Sequence, residues 1–315
     1  MEKRKSNQLD TQVTVARMYY RENLSQEEIA KLLHVSRPTV TRILKTCLET
    51  GIVTITVKEL SSALRAKEER LAYTFGLKRA IIVPSDDNYQ VSQDRVGAET
   101  AAHLREVLPQ GGLVGLSWGT TLNRMLYHTE GLLDKRADVI QILGDPYVGS
   151  ASNAAFMTVS LANALGGRAR VLPAPMLVES ALLREMMLRE SHMQQLYRDF
   201  EKIDVILIGF GATVTASHPY MAQGESMRKL FEDVKRRGAV CDFCGTFLDI
   251  NGKQLANELD KQTFCIPFRQ LAKIPEVVGV ACGTQKREAA LAALRSQLLH
   301  TFITDEALAD TVLAE

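Results

Sequence analysis

Three patterns in the sequence predict an α/β protein in two parts: a small N-terminal head of helices with a strand after them, and a larger unit built on a mostly parallel sheet. Residues 24–57, LSQEEIAKLLHVSRPTVTRILKTCLETGIVTITV, space their caps and apolar positions as two short helices around a tight bend, followed by an alternating strand. From Gly76 onward, short β-branched runs alternate with longer amphipathic stretches, the pattern of strands joined by crossover helices. Between these parts, residues 58–75 hold Leu60, Leu64, Leu71 and Phe75 at helical spacing among charges. The division is therefore 1–58 for the head, 59–76 for a linker helix and 77–315 for the larger unit, a comfortable arrangement for 315 residues.

Val13, Ala16, Arg17, Met18, Tyr19 and Tyr20 read as a helix that supports the pair. Ser25 and Glu28 stand at the spacing of a capping box, which starts the first helix of the pair. Ile29, Leu32 and Leu33 form its apolar stripe, and His34-Val35-Ser36 closes the bend. Ser36 caps the second helix, and Pro38 is tolerated in its opening turn because N–H groups there lack intrahelical partners. Val40, Ile43, Leu44 and Leu48 point inward, leaving Arg37, Thr39, Thr41, Arg42 and Lys45 on or near the outer side. Hydroxyls and cations at such positions suit phosphates and base edges, and in helix-turn-helix heads the second helix lies in the major groove. Ser25, Gln26, Ser36 and Pro38, at the two helix starts, complete the expected DNA-facing set. Gly51 ends the second helix and 52–57 alternates as a strand, so the head is read as winged. The plain alternative is a two-helix hairpin with a solvated face.

Charge supports the nucleic-acid reading only in part. Residues 1–60 hold 10 Lys/Arg against 7 Asp/Glu and the remainder holds 28 against 30, which gives the net +1 of the whole chain. An excess of three on one head binds duplex DNA weakly, because phosphate neutralisation supplies much of the affinity, so two or more heads are expected to act together. Hydrophobic content of 46% is ordinary, and no apolar run approaches the length of about 20 residues that spans a bilayer. The first eight residues are polar, unlike a signal peptide, and the expected location is the cytoplasm. Cys47, Cys241, Cys244, Cys265 and Cys282 form an odd, scattered set that reads as reduced thiols. Cys241 and Cys244 make one C-x-x-C with no second pair to complete a tetrahedral site, and the six histidines are dispersed, so neither metal nor cofactor is expected.

In the larger unit, strands are predicted over 80–83, 113–116, 139–143, 169–172, 205–208, 239–241, 277–280 and 301–304. Helices are predicted near 92–107, 120–129, 152–165, 179–189, 225–237, 285–298 and 305–313. In open α/β sheets of this Rossmann-like kind the ligand sits beyond the carboxyl ends of the strands, so the residues after each run carry the interest. After Leu116 come Gly119, Thr120 and Thr121 at a helix start, where a phosphate would meet free N–H groups and hydroxyls. After Ile208 comes Gly209-Phe210-Gly211-Ala212, read as a glycine-rich turn that lacks the G-x-G-x-x-G spacing of a dinucleotide site. Asp242 follows Cys241 and could accept from vicinal hydroxyls of a sugar or serve a turn. Lys286, at the start of the helix after Val280, could be a cation for the same phosphate or a solvated first-turn lysine.

Taken together the sequence resembles the SorC family of bacterial sugar-responsive transcription regulators, over essentially its whole length. The matching stretches are GLSWGTTLNRML (115–126), PAP (173–175), IGFGA (208–212), QGE (223–225), CDFCGTFLDINGK (241–253) and GVACGTQKREA (279–289), and their order and spacing matter more than any one of them. The resemblance implies a winged helix-turn-helix head and an effector domain related in fold to phosphosugar isomerases and deaminases. It implies that the effector's phosphate lies against Gly119, Thr120, Thr121 and Lys286, with Asp242 and residues near Gln141 and Gln223 addressing the sugar. It also implies a dimer or tetramer. Two departures stand out: Gly144-Asp145 and Cys282-Gly283 replace Gly-Gly pairs common in the family, and both narrow or repolarise the pocket.

The leading expectation is a regulator of carbohydrate catabolism without catalytic activity, whose binding to operator DNA is controlled by a phosphorylated sugar or polyol. The rival is a sugar-phosphate isomerase or deaminase carrying an accessory DNA-binding head. That chemistry needs a placed general base, and Asp242 has no partner carboxylate or histidine at a strand end apart from Asp145. A DNA-binding structural protein with no small ligand would leave the glycine-rich strand ends without a purpose.

Overall fold

In the computed structural model, residues 2–20, 22, 24–50, 52–53, 62–146, 153–213 and 225–314 are described. They fall into two units, Met1–Leu60 and Ser61–Glu315.

The first unit holds α1 (Glu2–Tyr20), α2 (Gln26–Leu32) and α3 (Arg37–Glu49). The capping box forms as its spacing predicts: Glu28 N–H donates to Ser25 Oγ at 3.3 Å and Ser25 N–H to Glu28 Oε2 at 2.8 Å. His34 turns the chain in the left-handed region at φ 53°, and Val35 N–H closes the bend onto the Ala30 carbonyl. Val15, Ile29, Ala30, Val40 and Leu44 form the core, with Met18, Tyr19, Leu24, Leu33 and Ile43 around it. Two expected core positions are instead exposed, Leu32 at 58% and Leu48 at 42%. Positions 40, 44 and 47 share one face of α3, so Cys47 is buried where Leu48, one residue further round, is not. Of the strand read over 52–57, residues 52 and 53 form a bend; Gly51 and 54–57 lie outside the described residues.

In the second unit, α4 (Ser62–Phe75) is more than a connection. Leu64 and Leu71 pack into the core, Lys67 pairs with Glu306 at 2.7 Å and Asp310 at 2.6 Å, and Glu68 accepts from Ile82 N–H at 2.8 Å. Seven strands follow in the parallel order β1 (Arg79–Val83), β9 (Thr301–Asp305), β8 (Glu276–Val280), β5 (Val205–Ala212), β2 (Leu113–Leu116), β3 (Asp138–Gln141) and β4 (Ala169–Arg170). Strand period sorts the side chains into two cores. Val114, Leu116, Val205, Leu207, Val278, Val280 and Ile303 meet α5 (Tyr89–Val107), α6 (Thr120–Met125) and α7 (Ala154–Leu165). Leu113, Ile206, Ile208, Val277 and Phe302 face the other way, toward α4, α9 (Ser191–Asp199), α10 (Glu225–Arg236), α12 (Arg287–Arg295) and α13 (Glu306–Leu313). The short α8 (Ala181–Leu188) and α11 (Phe268–Leu271) complete the helices named here.

Helices α9 and α11 were not expected from the sequence, and two further differences bear on the sheet's carboxyl edge. Residues 209–212 are not a turn: β5 runs on through Ala212, and its last residues pair antiparallel with β6 (Ala239–Phe243). Phe210 stacks 6.1 Å from Phe243 and 6.0 Å from Phe302, so apolar packing holds this glycine-rich stretch extended. A further strand, β7 (Thr246–Asp249), pairs with β6 across a two-residue turn in which Cys244 (φ 54°) and Gly245 (φ 79°) both take positive φ, the geometry that suits a tight hairpin.

Candidate functional site

Strand order locates the crevice. The chain leaves β2 for β3 and β4 on one side and returns to β5 and β8 on the other, so the switch falls between β2 and β5, where the two directions of winding part beyond the carboxyl ends. Ser117 ties the two strand ends together: its N–H donates to the Leu207 carbonyl at 3.1 Å and its Oγ accepts from Gly209 N–H at 3.0 Å. Gly119 stands at the start of α6 with open space beside it, and Thr120 is exposed. Beyond β8, Lys286 Nζ donates to the Phe210 carbonyl of β5 at 3.1 Å. Burial lowers the Lys286 ammonium, with Cys241 and Asp242 drawing it partly back.

Asp242 lies across from Gly211 in the antiparallel extension of β5 and is 9% exposed. Its Oδ1 accepts from Gly245 N–H at 2.8 Å, the turn role weighed for it in the sequence. Burial pushes its carboxyl up to about 6, although Gly245 N–H and then the Lys286 charge pull the other way. Gly119, Thr120, Thr121, Asp242 and Lys286 thus share the carboxyl edge of one sheet. Gln141 ends β3 on that same edge, fully buried, and its amide is committed to backbone: Nε2 to the Leu143 carbonyl at 2.8 Å and Oε1 from Leu172 N–H at 3.2 Å. Gln223 lies outside the described residues.

Two side chains that the sequence reading passed over stand beside these residues. Gln93 Nε2, on α5, is 3.3 Å from both Thr120 Oγ1 and Thr121 Oγ1, and Tyr89 donates to the Cys282 carbonyl at 3.1 Å. Tyr89 opens α5 beyond β1, at the same separation as Lys286 beyond β8, and Gln93 lies one turn further on, but the sequence reading did not weigh the end of β1. The Gly144-Asp145 departure is built in structurally. A Cβ on Gly144 would fall 2.5 Å from the Pro175 carbonyl oxygen, Trp118 Nε1 donates to the Gly144 carbonyl at 3.1 Å, and Asp145 accepts from Ala155 N–H at 3.2 Å.

In the head, Ser36 caps α3, with Oγ accepting from Thr39 N–H at 3.3 Å and bonded to Thr39 Oγ1 at 2.8 Å. Thr41 donates to Gln26 Oε1 at 2.7 Å, which ties α3 to α2. Arg37 pairs with Glu27 at 3.3 Å, both largely exposed, an ion pair weak enough to exchange for a phosphate. Arg37, Pro38, Thr41, Arg42 and Lys45 are exposed together, while Gln26 and Thr39 are half-buried.

Comparison with known proteins fits both units. Residues 61–314 match the family model described as "Putative sugar-binding domain", and residues 13–63 match the MarR family. The chain belongs to the SorC family of sugar-binding transcriptional regulators. Among SorC-type relatives, the sorbitol operon regulator of Klebsiella pneumoniae is 26% identical over 96% of each chain. The deoxyribonucleoside regulator of Bacillus subtilis is 28% identical over 93% of this chain and 94% of its own. The crystal structure of the full-length sorbitol operon regulator SorC from Klebsiella pneumoniae superposes with a TM-score of 0.84 at 24% identity, covering 97% of this chain and 98% of that one, which places the fold. These relatives are named as regulators and not as enzymes, and this SorC family member is likewise a DNA-binding transcriptional regulator of carbohydrate metabolism rather than an isomerase or deaminase. No helix among the described residues is long and apolar enough to cross a membrane.

Proposed function

We propose that a phosphorylated sugar or polyol occupies the crevice beyond β2, β5 and β8, and that its binding sets how firmly the heads hold operator DNA in the cytoplasm. The observation that carries this reading is that the Thr120 and Thr121 hydroxyls after β2 and the half-buried Lys286 ammonium after β8 stand on one sheet edge, on either side of β5 at the switch point. Gly119 gives the phosphate room, Thr120, Thr121 and Lys286 bind it, and Asp242 and Gln223 address the sugar hydroxyls. Gln141 acts from behind, holding the segments after β3 and β4 in place through its two backbone bonds.

On the head, Arg37, Thr39, Thr41, Arg42 and Lys45 meet the major groove and its phosphates, with Pro38 beside them. Ser25, Gln26 and Ser36 present the helix starts to the DNA backbone. One head with a net +3 is too weak alone, so the working form is a dimer or tetramer that places several heads on one operator. A ligand that prefers one arrangement of the larger units by about 100-fold supplies about 2.7 kcal/mol of coupling, enough to switch occupancy.

Operator binding measured by fluorescence anisotropy, with and without a panel of pentose, hexose and polyol phosphates, tests the proposal. At least one phosphorylated compound should change the affinity. Thr120→Ala and Lys286→Ala should abolish that change while an operator complex still forms. Identical operator affinity with every compound, or an unaltered response in both variants, would defeat it.

A further inference from the structure

Gln93 is 5% exposed and sets its amide nitrogen 3.3 Å from each of three oxygens: Tyr89 Oη, Thr120 Oγ1 and Thr121 Oγ1. The direction of these bonds follows from one end of the chain of contacts. Tyr89 Oη lies 3.1 Å from the Cys282 carbonyl oxygen, which can only accept, so the single phenol proton goes there. Toward Gln93 the phenol oxygen can then only accept, and Gln93 must present its amino group, not its carbonyl. An amide NH2 only donates: with one proton toward Tyr89, the other is shared between Thr120 and Thr121, whose oxygens receive it and whose hydroxyl protons point away from Gln93. Both protons are thereby left to turn toward the open space beside Gly119.

Such a pair favours an oxyanion, because charge-assisted bonds are roughly twice as strong as neutral ones. We infer that Gln93, held by Tyr89, is a positioning residue that fixes the donor direction of Thr120 and Thr121, and so makes the crevice select a phosphorylated ligand over its unphosphorylated counterpart. This rests on the phosphate reading given above. Gln93 touches no ligand itself; it acts by removing the alternative in which the threonine protons turn inward and their oxygens face the anion.

The test is isothermal titration of the full-length protein with inorganic phosphate and with pentose, hexose and polyol phosphates, each beside its unphosphorylated counterpart. Gln93→Leu keeps the shape and removes the donor. It should weaken the phosphorylated ligands by about tenfold, a loss of about 1.4 kcal/mol, and the neutral counterparts far less. Tyr89→Phe should weaken the same ligands severalfold in the native background and not at all in the Gln93→Leu background, because its effect passes through Gln93. The inference is overturned if Gln93→Leu, with native thermal stability, binds phosphorylated ligands as the native protein does. It is equally overturned if charged and neutral ligands weaken by one common factor, or if the two substitutions act additively. Should Gln93→Leu fail to fold, the charged-to-neutral ratio in Tyr89→Phe decides alone, and an unchanged ratio sinks the idea. If the native protein binds no phosphorylated compound, the phosphate reading itself falls and takes this inference with it.

Discussion

Asp242→Asn probes the electrostatics of the crevice at its most costly point. Burial raises this carboxyl from 3.8 to about 6, against the opposing pull of Gly245 N–H and Lys286. A carboxyl that holds its proton more tightly in the folded chain than in the unfolded one favours folding at low pH. That contribution is whole below 3.8, falls as the pH rises, and is gone above about 6, where the charged group sits in the fold at a net cost. Just over two pK units, at about 1.4 kcal/mol each, make the cost about 3 kcal/mol. The attraction of Lys286 is already contained in that shift, so it is not subtracted again.

Asn has nearly the same shape, carries no charge and keeps an oxygen that can accept from Gly245 N–H. At about pH 7.5 the variant should therefore be more stable by about 3 kcal/mol, or roughly 6–12 °C in the melting temperature of a unit this size. Once the pH falls well below 3.8, where the native carboxyl is protonated in both states, the gain should vanish. Thermal and urea denaturation of both proteins across this range measures it. A variant less stable than the native protein near neutrality, or a gain that persists unchanged in acid, would refute the reasoning. The effector response should weaken in the same variant, since the sugar loses a charged acceptor.

Three further outcomes follow from other parts of the molecule. Arg37→Ala and Arg42→Ala should each weaken operator binding and lower its salt slope by about one per lost phosphate contact, with effector affinity intact; native operator affinity in a salt titration would count against the assigned face. Gly97→Ala places a Cβ 2.7 Å from the backbone of Arg124, so it should push α6 off α5, cost about 1–3 kcal/mol and blunt the effector response; an unchanged melting temperature with a full response would contradict this. Burial would raise Glu276, yet His103, Thr301 and Lys78 together hold it down to about 2, so its stabilisation is present above its ordinary 4.5 and lost as the pH falls toward 2. Glu276→Gln should accordingly cost roughly 3 kcal/mol at neutral pH and little in strong acid, and equal stability at neutral pH would disprove it.

What the sequence made legible was what local chemistry decides. Ser25, Glu28, Ser36 and Pro38 act on N–H groups within a turn of themselves, so both helix starts of the reading head could be placed before any tertiary contact was known. The parallel strands were legible because β-branched runs buried on both faces have few other uses. The failures share a cause of the opposite kind. Residues 209–212 carry turn composition, but Phe210 lies against Phe243 and Phe302, partners far away in the chain, and that packing overrides the glycines. Strand β7 was hidden because Cys244-Gly245 lacks the asparagine or aspartate that usually marks a two-residue hairpin. Leu48 and Cys47 exchanged places because one residue is a 100° step around a helix, finer than an apolar stripe specifies. At the candidate site, Thr120, Thr121 and Lys286 were found because a glycine marks the segment after β2 and after β8, whereas the segment after β1 that leads to Tyr89 and Gln93 holds no glycine and was not weighed.

The two buried carboxylates separate the edges of the sheet without reference to any motif. At the amino edge, where β8 begins, Glu276 is surrounded by groups that favour its charge: Thr301 Oγ1 at 2.7 Å, Lys78 Nζ at 3.4 Å and His103 Nε2 at 3.9 Å. Its carboxyl is depressed, and the charge contributes to stability. At the carboxyl edge Asp242 is held at a cost and Lys286 is held partly desolvated, while Thr120 and Thr121 accept from Gln93. A fold selected for stability alone would treat the two edges alike. Perturbed charges gathered at one edge are what a functional site tends to show, and they support the proposed place of the effector. Effector binding and the stability of the larger unit are therefore linked: an anion that neutralises Lys286 and caps the threonines should raise the melting temperature most in the native protein and least in Lys286→Ala. Equal shifts in the two would mean that the strain at this edge serves something other than the ligand.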